Sequence, residues 1–311
     1  MREMKVLITG ALGFIGYFLS ASLEASGHEV IRVGRSARPT TECATGFNDV
    51  DLRHGPAAES EVVVHLACTT QPATSDAAIE RDITENVAAS ARFFARCGEA
   101  GVGRIVLASS GGTVYGDLRD GDRAWRETDS CRPTTAHGAM KLAVESYLRV
   151  VATRTAVCPV VARISNAYGR RSGFRPDHGV VEAMVGAVVA DEEVALWGDG
   201  GATRDYVHID DVVRALVAMI EAPAPAPVYN VGTGRATSLL ALLAQVEEAL
   251  GRRARVLREP ERRGDLRRNV LDATLLRSDL AWEPRVSLEA GIERLAKQLD
   301  AASFAARRAR G

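Results

Sequence analysis

The chain has little lysine and almost no net charge. Of its 39 basic residues only Lys5, Lys141 and Lys297 are lysines, and the rest are arginines. The formal net charge is -1, which gives no electrostatic reason to expect nucleic acid or an anionic membrane as a partner. In a chain so rich in arginine, a position that keeps a lysine is some evidence that the lysine has a specific role there.

Cysteine is scarce as well, and long apolar runs are absent. The five cysteines are widely spread and form no C-x-x-C pair. This pattern fits a reducing cytoplasm better than a disulfide framework or a zinc site, and the six isolated histidines give no support for metal binding. No apolar stretch has the length of a membrane-spanning helix, and the first residues lack a signal-peptide pattern. The sequence therefore predicts a cytoplasmic protein without metal, membrane or nucleic-acid partners.

Short β-branched runs alternate with helical segments over the first half of the chain. Near-continuous apolar strands of this kind indicate a parallel sheet covered on both faces. We predict an α/β fold with a doubly wound (Rossmann) domain over 1–165, to which 228–251 returns, and a smaller C-terminal α/β subdomain over 166–311 that binds the substrate. The chain beyond Arg252 is expected to lie mostly on the surface. The predicted strands are 5–9, 29–33, 61–66, 104–108, 160–164 and 228–231, and the predicted helices are 16–26, 79–98, 135–154, 179–190 and 238–251.

A glycine-rich turn joins the first strand to the first helix. Gly10, Gly13 and Gly16 form the spacing G-x-x-G-x-x-G, with Phe14 and Ile15 between the last two. The first glycine permits a tight turn, the second lets the backbone approach a pyrophosphate, and the third lets helix and strand pack closely. In this strand–turn–helix context, the loop predicts a dinucleotide cofactor on the helix N-terminus.

The end of the second strand bears on the choice of cofactor. NAD-binding Rossmann domains place an acid there for the ribose hydroxyls, whereas this chain has Arg35 and Ser36. This pair could receive a 2′-phosphate, so we expect NAD(P) with NADP(H) favoured; the alternative is a solvated arginine. Asp51 and Leu52, after the third strand, are placed where an acid could meet the adenine, and the alternative for Asp51 is a turn aspartate.

Eight sequence blocks occur in order along almost the whole chain, from about residue 4 to 297. They are TGALGFIG (9–16), VVHLA (63–67), ASSGGTVYG (108–116), HGAMK (137–141), ARISNAYGR (162–170), RDYVHIDDVVRA (204–215), YNVGTGRATSL (229–239) and LAWEP (280–284). These blocks resemble those of the NAD-dependent epimerase/dehydratase family, which are extended short-chain dehydrogenases/reductases that act on nucleotide sugars. The resemblance implies a nucleotide-diphosphate sugar as substrate, and it places Leu66 and Ala67 at the cofactor.

The family's catalytic set is only partly present. It consists of a Ser or Thr shortly before V-Y-G and a Tyr-x-x-x-Lys motif, in which the lysine holds the nicotinamide ribose and lowers the tyrosine pKa so that tyrosine can act as acid or base. Here Lys141 is kept, but His137 replaces the tyrosine and Gly111 replaces the Ser or Thr. The acidic pair of the dehydratases aligns with Gly112 and Thr113, which makes an ordinary dehydratase an unsuitable interpretation.

Three interpretations of His137 stay open. Imidazole titrates near neutrality without help, so His137 could replace tyrosine as the acid/base. Alternatively, His137 only starts a helix, and Ser110, Thr113, Thr135 or a water does the work. In the third interpretation the redox function is lost.

The resemblance also implies substrate residues and an assembly. Asn166 matches the family asparagine near the substrate diphosphate, and Arg204 with Asp205 matches the block that approaches the nucleotide sugar. Arg267 or Arg268 is similar to a second diphosphate arginine. The helices 79–98 and 135–154 resemble the pair that forms a four-helix dimer interface, so we expect a homodimer.

Three functions follow as hypotheses. The first is an NAD(P)-dependent epimerase or reductase that transfers hydride at a hexose carbon in an atypical site. The second is an NADPH-dependent reductase of a 4-keto-sugar nucleotide. The third is a catalytically degenerate protein that binds cofactor or nucleotide sugar. The base, the sugar, the reacting carbon and the stereochemistry stay open.

Overall fold

The computed structural model describes residues 2–34, 46–54, 56–117, 123–169, 179–261 and 266–308. Its strands are β1 (Lys5–Thr9), β2 (Glu29–Val33), β3 (Val62–His65), β4 (Arg104–Ser110), β5 (Cys158–Ile164), β6 (Asn166–Tyr168), β7 (Glu193–Trp197), β8 (Thr203–Arg204), β9 (Tyr206–His208), β10 (Val228–Val231), β11 (Thr237–Ser238), β12 (Arg255–Glu259) and β13 (Arg268–Asn269). Its α-helices are α1 (Phe14–Ala25), α2 (Pro72–Ser75), α3 (Ile79–Arg81), α4 (Ala89–Glu99), α5 (Gly111–Val114), α6 (Ala136–Ala152), α7 (Val180–Ala190), α8 (Ile209–Glu221), α9 (Leu239–Leu250), α10 (Thr274–Leu280) and α11 (Leu288–Arg308).

The main sheet has six parallel strands in the order β10-β5-β4-β3-β1-β2. This confirms the predicted doubly wound α/β fold. The strand order reverses between β1 and β3, and the crevice outside the carboxyl ends of strands at such a point is where open α/β sheets bind ligands. The turns that follow β1, β3, β4 and β5 all open at this edge.

Two apolar layers cover the main sheet. On one face, α1 and α8 pack over the strands, with Leu19, Leu23 and Leu216 fully buried. On the other face, α4 and α6 do the same through Phe93 and Leu148. The burial of apolar strand residues on both faces explains why these strands read as continuous rather than alternating hydrophobic runs.

A separate apolar cluster, apart from the two layers on the main sheet, joins α7, α9 and α11 to β7. The segment 228–251 is therefore split: β10 lies in the main sheet beside β5, whereas α9 packs on α7 and α11. Most described residues beyond Arg252 are not buried, as expected, but this part of the chain also contributes to the core: Ile292 and Leu295 on α11 are buried in this cluster and Leu276 on α10 is buried against α8. The domain boundary at 165/166 stays a prediction.

The predicted helix over 79–98 is present but not uniform. Between α3 and α4 the backbone follows a π-helix from Asp82 to Ala88. Isolated π-helical turns occur mostly within helices and often near functional sites. This turn packs against α6, the helix that carries His137 and Lys141.

Candidate active site

The glycine loop after β1 fits a dinucleotide. Gly10 has a φ of +72°, and a Cβ on it would lie 2.8 Å from the backbone nitrogen of Ala67. A Cβ on Gly16 would overlap the Gly10 carbonyl. At Gly13, by contrast, that same carbonyl, at 3.1 Å, is the one neighbour within 4 Å among the described residues. The packing of the chain therefore requires Gly10 and Gly16, whereas Gly13 has little around it at the N-terminus of α1, where a diphosphate would be held. Phe14 and Ile15 begin α1 and pack on the core.

The end of β3 and the residues after it are hydrogen-bonded to Thr9, the last residue before this loop. The amide of Leu66 donates to the Thr9 carbonyl at 3.1 Å, and that of Ala67 donates to Thr9 Oγ1 at 3.4 Å. His65 Nδ1 shares a 2.8 Å hydrogen bond with the same hydroxyl. Burial, with help from the charge of Lys141, lowers the pKa of His65 to about 3. His65 is therefore a neutral, structural residue beneath the loop.

The adenine side of the predicted cofactor site is described only in part. Arg35 and Ser36 lie outside the described residues. Within the described residues 46–50 no strand precedes Asp51; they contain a short 3₁₀ turn (Phe47–Asp49). Asp51 is exposed, and its carboxylate accepts from the backbone amides of Arg53 and His54, which lower its pKa; Leu52 is buried in the core. Asp51 is thus a turn aspartate in this structure.

Helix α6 brings His137 and Lys141 to the carboxyl edge of the sheet. The Thr135 hydroxyl caps the helix by accepting from the amide of Gly138 at 3.2 Å. One turn further, Lys141 Nζ donates to the carbonyl of Ala108 on β4 at 3.1 Å. A Cβ on Gly138 would overlap the Thr113 carbonyl, so α6 begins directly against the turn that follows β4.

His137 is neutral rather than poised to titrate near pH 7. Its residue surface is 6% exposed, and burial, together with the charge of Lys141, lowers its pKa to about 3 while Asp82 opposes the shift. Among the described residues its Nδ1 is buried without a hydrogen-bond partner. The lowered pKa argues against an imidazole that titrates near neutrality, because the charged ring would be poorly solvated beside a cation. The catalytic role of His137 stays a prediction.

The turn after β4 presents Ser110 to the same edge. A Cβ on Gly111 would lie 2.5 Å from Leu271 Cδ1 and 2.9 Å from the Arg163 carbonyl, so this position faces the interior. A Cβ on Gly112 would have open space, with Ser110 Oγ at 3.8 Å and Asn166 Nδ2 at 3.9 Å. Ser110, Gly112 and Asn166 thus converge, and Ser110 Oγ makes no hydrogen bond within the described chain.

Thr113 is a weaker candidate for chemistry. Its hydroxyl donates to the Ser110 carbonyl at 3.5 Å, so it is oriented toward its own turn. Of the hydroxyls named from the sequence, Ser110 is the one that stands beside the open space at Gly112.

The predicted substrate residues divide into two groups. Arg204 is half-buried on β8, and β13 pairs with this strand, which places Arg268 opposite Thr203. Arg267 is exposed, 3.7 Å from Glu261. Arg268 on β13, and Arg267 just before it, therefore lie next to the strand that carries Arg204. Asp205 is different: it is fully buried, so its carboxylate contacts its own chain and not the substrate that we expected.

The structure adds polar residues that the sequence did not indicate. Asp82 in the π-helix is 2% exposed and accepts hydrogen bonds from Thr70, Ser75 and Asn86. The spacing of Asp82 and Asn86, four residues apart in an otherwise amphipathic helix, was the available signal. Asn269 also touches the site: its side-chain nitrogen donates to the Gly111 carbonyl at 3.1 Å. No local pattern announces this contact, because the two residues are far apart in sequence.

The described residues were also compared with the requirements of a metal site and of a membrane-spanning helix. In the parts of the chain that the structure covers, no group of three or more His, Cys, Asp or Glu side chains is placed to hold a metal ion. No helix in these ranges is sufficiently long and apolar to span a membrane.

Comparison with known proteins gives a consistent result. The model of the NAD dependent epimerase/dehydratase family matches residues 6–232. The chain is 35% identical to a UDP-glucose 4-epimerase of Mycolicibacterium smegmatis, over 93% of this chain and 96% of the relative. It is 29% identical to a dTDP-4-dehydro-6-deoxyglucose reductase of Escherichia coli, over 96% and 98% of the two chains. The crystal structure of a Thermus thermophilus UDP-glucose 4-epimerase complexed with NAD superposes with a TM-score of 0.85 at 31% identity, covering 96% of this chain and all of that one.

Proposed function

Because the chain belongs to the NAD-dependent epimerase/dehydratase family, we propose that it is an NAD(P)-dependent enzyme that transfers hydride at a hexose carbon of a nucleotide sugar. One observation carries the proposal: the open glycine at Gly13, the ammonium of Lys141 and the Ser110–Asn166 space all lie at the carboxyl edge of one sheet. The relatives contribute the class of substrate, since their names specify UDP- and dTDP-linked sugars.

Lys141, His137 and Ser110 have separate roles in the proposed reaction. A nicotinamide held by the glycine loop and Lys141 would supply the hydride acceptor and donor. The proton of the reacting hydroxyl must leave as the carbon–hydrogen bond breaks and must be given back when the carbonyl is reduced. The neutral ring of His137 hydrogen-bonds this hydroxyl, accepts its proton and returns it, and Ser110 is the second hydroxyl contact. Lys141 would hold the cofactor ribose and supply a positive charge beside the developing oxyanion.

The substrate diphosphate is assigned to arginines. A guanidinium donates two parallel bonds to a phosphate. Arg204 lies on β8, Arg268 lies on the paired strand β13, and Arg267 immediately precedes β13. Asn166 lies beside the catalytic turn and is hydrogen-bonded to Asp205, the residue after Arg204. We propose that it binds the diphosphate or the adjoining sugar.

A second candidate is an NADPH-dependent reductase of a 4-keto-sugar nucleotide. The E. coli relative, which aligns over almost the whole chain, favours it, and Arg35 with Ser36 is its sequence support. An epimerase regenerates its cofactor in each turnover, whereas a reductase consumes it. If Arg35 receives a 2′-phosphate, NADP(H) binds more tightly than NAD(H), and Arg35→Ala removes the difference; equal affinities in the unmutated protein contradict it.

We also propose that the chain is a cytoplasmic homodimer. The described cysteines are free of disulfides, and fractionation of the tagged chain checks the compartment. For the dimer, Ile79 and Ile83 are 56% and 57% exposed, and Tyr147 and Val150 on the neighbouring α6 are 48% and 45% exposed. Apolar side chains so close together form a surface that a second copy would cover.

Light scattering tests the dimer. The wild type should have twice the mass of one chain, and the double variant Ile83→Asp/Tyr147→Asp should be monomeric. Val256→Asp, which changes an exposed apolar residue on β12, is the control and should stay dimeric. A monomeric wild type contradicts the proposal.

The function is tested by incubating the protein with NAD⁺ and hexose nucleotides, and with NADPH and 4-keto-sugar nucleotides. Products are identified by NMR. An epimer formed without net cofactor consumption indicates an epimerase, and a reduced sugar formed with matching loss of NADPH indicates a reductase. Binding of both ligands without any product would support the degenerate protein that Gly111 and His137 leave as the alternative.

A further inference from the structure

We propose that Asp205 is a positioning residue, which holds Asn166 and the chain around Leu271 in place against the catalytic turn 110–114. The inference rests on the proposed function for its consequence, the binding of a nucleotide sugar. It assigns no contact between Asp205 and a ligand.

The carboxylate of Asp205 is a fully buried acceptor of four hydrogen bonds. Its Oδ1 accepts from the amide of Thr233 at 2.9 Å and from the Thr233 hydroxyl at 2.6 Å. Its Oδ2 accepts from the amides of Gly234 at 3.1 Å and Leu271 at 3.3 Å. One side chain thereby joins the loop after β10 to the segment after β13.

Gly232 shows how closely this loop approaches the carboxylate. A Cβ on Gly232 would lie 2.5 Å from Asp205 Oδ2 and 3.1 Å from the Cβ of Leu271. A larger residue would separate the three chain segments, so a glycine is needed for the contact to form.

The backbone of Asp205 fixes Asn166. Its carbonyl accepts from the Asn166 amide at 3.0 Å and from Asn166 Nδ2 at 3.2 Å. The side chain of Asn166 is thus held with its amide group beside the space at Gly112, across from Ser110.

The segment that the carboxylate holds also contacts the catalytic turn. Leu271 Cδ1 occupies the space in which a side chain on Gly111 would lie, and Asn269 Nδ2 donates to the Gly111 carbonyl. Asp205 therefore touches both flanks of the site: Asn166 through its carbonyl, and the turn through Leu271.

The substitution Asp205→Asn disrupts this arrangement with little change of volume. All four partners of the carboxylate are donors, two at each oxygen, and an amide replaces one oxygen with a group that itself donates. One pair of donors would then face another donor in a buried site, which leaves them unsatisfied.

Hydrogen exchange of the full chain tests the placement without any ligand. In Asp205→Asn, amide exchange should accelerate in 110–116, 166–168 and 268–271 and stay at the wild-type rate in β1 and β2. Asp210→Asn, an exposed aspartate on α8, is the matched control and should leave all of these segments unchanged. Wild-type exchange in 110–116 and 166–168, or equal acceleration throughout the chain, overturns the proposal.

Calorimetry then measures the consequence. At a temperature at which circular dichroism shows both proteins folded, Asp205→Asn should bind UDP-glucose about tenfold more weakly or worse, with an unchanged affinity for NAD⁺. Thr233→Val removes one of the four donors to the carboxylate, together with the acceptor of the exposed Arg235 amide. It should produce a smaller change in the same direction, and it serves if Asp205→Asn does not fold. If the affinities for UDP-glucose and NAD⁺ fall equally, a positioning role for Asp205 is contradicted. A wild type that binds no nucleotide sugar refutes the proposed function, whereas the exchange result still decides the role of Asp205.

Discussion

Glu145 on α6 and Arg163 on β5 form an ion pair that solvent does not reach: Nη2 lies 2.7 Å from Oε2, and the side chains are 0% and 4% exposed, respectively. Arg163 Nη1 also donates to the hydroxyl of Tyr115 at 3.0 Å. Glu145 follows Lys141 by one helical turn, so the pair fastens the catalytic helix to the sheet and to the chain just beyond the 110–114 turn.

The first prediction concerns this pair. Glu145→Gln leaves the Arg163 charge buried without its partner, and breaking such a pair costs about 3–5 kcal/mol. We expect the free energy of unfolding, measured with urea, to fall by about 3 kcal/mol or more. The control is Glu99→Gln, whose pair with Arg53 is exposed on both sides and should change stability by at most about 1 kcal/mol. Equal effects of the two substitutions would refute the structural role.

The second prediction compares two adjacent glycines. Gly111→Ala forces a methyl group against Leu271 and the Arg163 carbonyl, and overpacking of this kind costs about 1–3 kcal/mol. The methyl group of Gly112→Ala would have Ser110 Oγ, at 3.8 Å, as its nearest neighbour among the described residues, so this substitution should leave stability close to that of the wild type. Thermal unfolding of both variants decides the matter. If Gly112→Ala is destabilised and Gly111→Ala is not, the assignment of Gly111 to the interior and Gly112 to the open side of the turn is wrong.

The third prediction follows from the pKa of His137, which is lowered from 6.5 to about 3. Between these values the unfolded chain binds a proton that the folded chain does not, so this contribution to stability is complete above 6.5 and is lost as the pH falls toward 3. The slope is at most about 1.4 kcal/mol per pH unit. His137→Gln should therefore lose stability less steeply than the wild type between about pH 7 and about pH 5, as measured by urea unfolding.

His54→Gln is the control for this measurement. His54 is exposed, so its removal should preserve the wild-type slope. If His137→Gln has that same slope, the ring of His137 titrates normally, and the interpretation of a neutral histidine fails.

The fourth prediction concerns the glycine loop. Gly13→Asp places a side chain and a negative charge where the cofactor diphosphate approaches the N-terminus of α1, so calorimetry should detect no binding of NAD⁺ or NADP⁺. Ala21→Asp adds the same charge on an exposed position of α1 and should bind cofactor as the wild type does. Unchanged affinity in Gly13→Asp would remove the loop from the cofactor site.

Local patterns predicted most of the sheet. The strands at 5–9, 29–33 and 228–231 have the predicted bounds, because each is a short apolar run between turn residues. The C-terminal helix was missed although its signal was present: Ile292, Leu295 and Ala296 have helical spacing and are buried. The charged residues between them, Glu293 and Arg294, obscured that pattern.

The site was less predictable, because its decisive contacts join distant segments. Nothing near Gly111 indicates that Leu271 and Asn269 pack on it, and nothing near Asp205 indicates four hydrogen bonds to the chain. The protonation of His137 likewise depends on its burial beside Lys141. The retained Lys141 was the informative residue, since its place on the helix could be read from the sequence alone.

The most direct test of the account is the turnover of wild-type protein and His137→Ala with hexose nucleotides and 4-keto-sugar nucleotides, measured together with cofactor affinity. We predict that the wild type forms an epimerised or reduced sugar. The turnover rate of His137→Ala should be about a hundredfold lower than that of the wild type. This variant should bind the cofactor normally, because Lys141 and the glycine loop hold the cofactor without His137. A wild type that binds these nucleotides but converts none of them, with His137→Ala binding them equally well, would contradict the account.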